Sequence, residues 1–138
     1  MEKKALGKSE LLVSPIAFGA WAIGGWMWGG NDEKESHRAL LASIEQGITT
    51  IDTAPVYGFG LSEELVGKAV KGVRDKVQIL TKYGLLWDSK KGEFFFSTRL
   101  NDGSPASIHR YAGKESIIKE CEASLKRLQT DYIDLYQI

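Results

Sequence analysis

Short β-branched segments alternate with helical ones along this chain, and that alternation limits the folds open to it. The strand candidates are "SPIAFGAWAIGG", "ITTID", "VQILTK" and the final "TDYIDLYQI". Between them lie three segments with helical signals. "NDEKESHRALLASIEQG" starts with a capping-box pattern, Asp32 followed by Glu35, and carries an apolar stripe of Leu40, Leu41 and Ile44. Gly47 supplies its left-handed stop. "SEELVGKAVKG" places Ser62 as a cap, puts Glu63 and Glu64 at the positive end of the helix dipole, and ends at Gly72. "KESIIKECEASLKRLQT" sets Ile117, Ile118, Cys121, Leu125 and Leu128 on one face.

Strands that each hand over to a helix are most economically joined as a parallel sheet with right-handed crossovers. The fold class is therefore α/β. Ahead of it, "ALGKSELLV" reads as a β-hairpin turning near Gly7 to Glu10. Between Tyr83 and about Gly113 the pattern is irregular, with a small hairpin expected in "LLWDSKKGEFFF", turning at Lys91-Gly92. Four parallel strands fit either an open doubly wound sheet or part of an eight-stranded barrel. The first strand is not followed by G-x-G-x-x-G, which counts against the dinucleotide-binding version of the open sheet. A barrel typically takes about 250 residues. At 138 residues the chain has enough for roughly half of one, read as a single unit over 1–138 with two unpaired sheet edges.

Charge and composition exclude some partners. Eighteen basic residues balance eighteen acidic ones, so no field favours nucleic acid or an anionic membrane. The N-terminus lacks the apolar core of a signal peptide, and "PIAFGAWAIGGWMWGG" is too broken to span a bilayer. The single cysteine, Cys121, cannot form an internal disulfide, which fits a reducing cytoplasm. It falls on the apolar face of its helix and reads as a packed thiol. No metal-ligand cluster is expected.

In a barrel, the working groups sit where strands end and βα loops begin. "ITTID" ends at Asp52, "VQILTK" ends at Lys82, and Tyr57 follows Asp52 by five residues. Neighbouring strand ends are only about 5 Å apart, so the three can converge. A phenol titrates near ~10, and an adjacent ammonium favours its ionised form. A carboxylate beside the amine keeps it charged and oriented. Such a trio can pass a proton to a carbonyl oxygen. Each residue also has a plain alternative: a capping Asp, a packed Tyr, a solvated Lys. Trp26 and Trp28 in "GGWMWGG" either wall a substrate pocket or pack on one another. Phe94, Phe95 and Phe96 read as paired residues of a hairpin or as the edge of a lid.

Several segments, in order, resemble the aldo-keto reductase family. "GITTIDTAPVYGFGLSEELVGKAV" is similar to its first signature, "VQILTKYG" to its second, and "SLKRLQTDYIDLYQI" to the approach to its third. "LGKSELLVSPIAFGAWAIGG" is similar to its N-terminal hairpin and first strand. The resemblance implies the N-terminal half of a TIM-type (β/α)8 barrel and NADP-dependent hydride transfer to a small aldehyde or ketone. Tyr57 would donate the proton, Lys82 would ease its release, and Asp52 would support Lys82 and touch the nicotinamide ribose. Gly19, Ala20 and Trp21 match the segment beside the cofactor, with Ala20 in place of the more usual Thr. The family's histidine would follow directly after Ile138. Neither His37 nor His109 matches it, and both read as surface groups. The last strands, which hold the cofactor phosphates in the family, lie outside these residues. The isolated chain is thus expected to be inactive, and to self-associate or to pair with a C-terminal half. The rival readings are a non-catalytic, nicotinamide-sensing regulatory subunit and a half-barrel fragment.

Overall fold

The computed structural model describes residues 1–138. Two short strands open the chain, β1 (Lys4–Ala5) and β2 (Leu12–Val13), paired antiparallel. The turn between them has Gly7 at φ 62. The body is a parallel sheet of β3 (Ala17–Gly19), β4 (Thr50–Asp52), β5 (Gln78–Lys82) and β9 (Leu135–Gln137), in that spatial order. Helices α1 (Glu33–Glu45), α2 (Leu61–Val70) and α3 (Lys114–Leu128) occupy the three crossovers. The sequence order and the spatial order coincide, as in a barrel wall and unlike a doubly wound sheet, where strand order reverses.

The pleat sends alternate residues to opposite faces. Ile51, Ile79 and Thr81 are fully buried beneath the helices. There they meet Leu40 of α1, Leu65, Val66 and Val70 of α2, and Leu128 of α3. The other face carries Thr50, Asp52, Leu80, Lys82 and Leu135, whose register pairs are Asp52 with Leu80 and Leu80 with Leu135. This face leaves Asp52 and Lys82 half-buried at the carboxyl ends of their strands.

Asp32 caps α1, accepting hydrogen bonds from the backbone N–H groups of Lys34 and Glu35. The reciprocal half of the expected box does not form, because Glu35 pairs with Arg38 instead. Ser62 does not cap α2. The helix begins at Leu61, two residues earlier than a Ser62 cap would set it, after Gly60 at φ 103, and Ser62 is buried inside its first turn. Glu63 and Glu64 stand in the first turn of α2, at the positive end of its dipole as expected, and Glu63 is fully buried there. On α3 the buried residues are Ser116, Ser124 and Leu128, while Ile118 of the expected stripe is 51% exposed. The helix lies on α2 through the line that includes Gly67, where a Cβ would come within 2.6 Å of the Leu128 carbonyl oxygen.

The segment expected to be mostly irregular is a second, antiparallel sheet. Its strands are β6 (Leu85–Leu86), β7 (Glu93–Arg99) and β8 (Pro105–Arg110), ordered β6-β8-β7. The hairpin does not turn at Lys91-Gly92. It turns at 100–104, where Leu100 donates to the Ser104 carbonyl and Gly103 to the Leu100 carbonyl. Leu85 and Leu86 pair with β8, not with the phenylalanines. His109, expected at the surface, is 9% exposed on β8, edge-on to the Phe94 ring. His37 is exposed on α1 as expected.

Candidate active site

Parallel pairing brings the ends of β3, β4 and β5 level, with Gly19 opposite Asp52 and Lys82 one pleat beyond Leu80. From there the Lys82 amine reaches back across the sheet. Its Nζ donates to both Asp52 oxygens, at 2.9 and 2.8 Å, and to the Thr53 carbonyl at 2.9 Å. Three acceptors use the three donors of an ammonium. The same Nζ stands 4.9 Å from the centroid of the Tyr57 ring. Asp52, Tyr57 and Lys82 therefore meet at one rim of the sheet.

Tyr57 sits in a loop that two glycines hold in place. Gly58, at φ 65, passes the loop after β3 so closely that a Cβ would lie 2.1 Å from the Gly24 carbonyl oxygen. On the Gly24 side, a Cβ would come within 2.7 Å of the Tyr57 carbonyl oxygen. Only hydrogen at both positions permits this crossing. Trp21 then stacks on Tyr57, with centroids 5.7 Å apart and rings inclined by 20°. Neither glycine contact is visible in the sequence as a spacing, since 34 residues separate them.

A cleft of about 490 Å³ opens beside the trio. Tyr57 and Lys82 line it together with Tyr83, Leu85, Arg110 and Tyr111. Trp26 and Trp28 do not line it. Trp26 instead donates from Nε1 to the Thr98 hydroxyl at 3.0 Å and stacks on Phe96, tying the loop after β3 to the β7–β8 hairpin. Trp28 is 58% exposed, edge-on to Trp21. Of the segment beside β3, Gly19 and Trp21 are exposed. Ala20 is fully buried, its N–H donating to the Asp52 carbonyl and its carbonyl accepting the Ser62 hydroxyl.

Two supports of the site lay outside the sequence reading. Gln137, opposite Lys82 on β9, directs its amide toward Asp52 Oδ1 at 3.4 Å. Beneath the sheet, Glu63 accepts from Thr81 Oγ1 and from Arg127 Nε, each at 2.6 Å. A signal for Glu63 did exist: it shares a helical face with Val66 and Val70, where a charge needs a buried partner.

The model of the Aldo/keto reductase family matches residues 15–138. The chain is 49% identical to the aldo-keto reductase YhdN of Bacillus subtilis, over 100% of its own length and 38% of that protein's. It is 40% identical to an NADH-specific methylglyoxal reductase of Escherichia coli, over 99% of itself and 41% of that protein. Among solved structures, a glycerol dehydrogenase from Gluconobacter oxydans superposes with a TM-score of 0.77 at 40% identity, covering 99% of this chain and 38% of the other. An aldo-keto reductase from Klebsiella pneumoniae in complex with NADPH gives 0.64 at 33% identity, covering 92% of this chain and 35% of the other. The chain thus spans about two fifths of the length of these relatives. With a family match over almost every residue, the chain belongs to the aldo/keto reductase family.

Proposed function

We propose that the full-length protein is an NADPH-dependent reductase of small aldehydes and ketones, with Tyr57 as proton donor. One observation carries this reading: the Lys82 ammonium, fixed on Asp52, stands against the Tyr57 ring at the edge of an open cleft. A nicotinamide cofactor supplies hydride to the carbonyl carbon. The residues suited to hold it are Gly19, Trp21 and Asp52. They fit a flat ring: nothing lies within 4 Å of where a Gly19 Cβ would be, and Trp21, stacked on Tyr57, is 38% exposed.

The chain's own part is proton delivery. As the carbonyl carbon gains hydride, its oxygen takes the Tyr57 hydroxyl proton and leaves as an alcohol. The phenolate left behind has its ring centroid 4.9 Å from the Lys82 ammonium, a nearby positive charge that favours the anion, and solvent returns the proton. Asp52 keeps the amine charged and aimed. Preference for NADPH over NADH is part of the proposal and is checked by initial rates with each.

The decisive experiment is Tyr57→Phe in the full-length protein. Consumption of reduced nicotinamide with benzaldehyde should fall about 10²–10⁴-fold, with cofactor affinity unchanged. Unaltered turnover would remove Tyr57 from the role. Absence of turnover in the wild type across a panel of aldehydes would favour a nicotinamide-sensing regulator instead.

A further inference from the structure

The cleft beside Tyr57 is lined by two cations with opposite circumstances. Lys82 is spent on Asp52 and the Thr53 carbonyl. Arg110, at the end of β8, belongs to none of the chain's seven ion pairs. It is nevertheless held in place. The β7–β8 register slips between Phe94 and Phe96, leaving Phe95 as an extra residue on its strand. Bulges of this kind re-aim a side chain. Here the Phe95 ring lies under the guanidinium, 3.6 Å from its Cζ to the ring centroid. Stacking fixes the plane of an arginine and leaves its in-plane N–H fork free for an oxyanion.

The neighbouring carboxylates do not claim it. Glu120, on the cleft wall, accepts from the Gly84 N–H and the Ser116 hydroxyl, both at 2.9 Å. Glu93 is the cross-strand partner of Arg110 in register, yet forms no ion pair with it. Pre-oriented, exposed and unpaired, Arg110 shares one cleft with the proton-delivering trio.

We propose that Arg110 recognises an anionic group on the substrate, so that the preferred substrates are aldehydes or ketones bearing a carboxylate or phosphate away from the carbonyl. This rests on the reductase reading. A contact remote from the reacting carbon binds ground state and transition state alike, so it acts on KM more than on kcat.

The test compares benzaldehyde, 4-carboxybenzaldehyde and 4-formylphenyl phosphate in the full-length protein, its Arg110→Met variant, and its Arg110→Lys variant. Arg110→Met should lose roughly tenfold in kcat/KM on an anionic aldehyde, through KM, and stay within about twofold on benzaldehyde. Arg110→Lys should fall between, because it keeps the charge and loses the fork. Whichever anion suffers more names the group. Equal loss on all three aldehydes, or loss on none, overturns the proposal. Binding of benzoate and phenyl phosphate, followed by tryptophan fluorescence, separates the two readings. If the wild type reduces no aldehyde, the reductase reading fails, while Arg110-dependent anion binding still decides the role of Arg110.

Discussion

Arg127→Met should destabilise the protein by about 3 kcal/mol, and the reason lies in Glu63. That carboxylate is fully buried and keeps two partners, the Thr81 hydroxyl and the Arg127 guanidinium. Removing the guanidinium strands a negative charge beneath the sheet with one hydroxyl for company. Breaking a buried pair in this way costs about 3–5 kcal/mol. The Arg127 side chain is 20% exposed, so water reaches its end of the pair and the lower figure applies. Adding Glu63→Gln removes the charge and retains a carbonyl for the Thr81 hydroxyl. The double variant should then recover to a cost of about 1 kcal/mol, near that of a single lost hydrogen bond. With Glu63→Gln alone costing about 1 kcal/mol for the weakened bond to Arg127, the coupling between the sites is about 3 kcal/mol in favour of the pair. Urea titration of the full-length protein, followed by far-UV circular dichroism, measures all three variants, with the midpoint shift read at unchanged slope. An Arg127→Met cost below about 1 kcal/mol, or strict additivity in the double variant, would show that Glu63 does not depend on this partner.

Gly58→Ala combines a positive φ with a Cβ 2.1 Å from a backbone oxygen. It should cost at least about 1–3 kcal/mol in the same titration and lower turnover by moving Tyr57. Thr50→Val leaves the buried Ser14 N–H without its 2.8 Å acceptor and should cost about 1–3 kcal/mol. The Cys121 thiol is pushed above its ordinary pKa by burial first and by Glu122 second. Less thiolate is therefore present at pH 8, and iodoacetamide should label the folded protein more slowly than the urea-unfolded chain. Residues 1–138 expressed alone expose the outer edges of β3 and β9, and should sediment as a dimer or larger species.

The parallel wall was legible because short apolar segments, "ITTID" the most β-branched of them, alternated with helices that carried caps or glycine stops. The rim carrying Asp52 and Lys82 was legible for the same reason, since barrel geometry fixes which end of a strand works. The β6–β8 sheet was misplaced through a choice between two turn signals. Lys91-Gly92 drew the hairpin to one side, while Asn101-Asp102-Gly103, the stronger hairpin chemistry, stood between "EFFFSTRL" and "PASIHR". Gly92 serves a different purpose: at φ 84 it brings the chain so close to the Arg110 carbonyl that a Cβ would lie 2.0 Å from it. On α3 the expected apolar stripe is only partly buried: Leu128 is fully enclosed against Gly67 of α2, Ile117, Cys121 and Leu125 are half-buried, Ile118 is exposed, and two of the three buried positions are serines, Ser116 and Ser124. Arg127 on the same helix neutralises Glu63, a need set 64 residues away.

That need connects stability with the site. Ser62 gives its hydroxyl to the Ala20 carbonyl at 2.6 Å and sits 2.9 Å from the Thr53 hydroxyl. Glu63, the next residue, holds Thr81. Thr53 immediately follows Asp52, and Thr81 immediately precedes Lys82. Two adjacent residues in the first turn of α2 thus grip the loop start after β3, the end of β4 and the end of β5 from below. The trio above inherits its spacing from that grip, and the Lys82 bond to the Thr53 carbonyl closes the loop between the layers. A serine placed to cap its own helix could not do this. Set two residues past the cap, it spends its hydroxyl on the sheet, and Gly60 takes over the start of α2 at a backbone conformation that suits glycine.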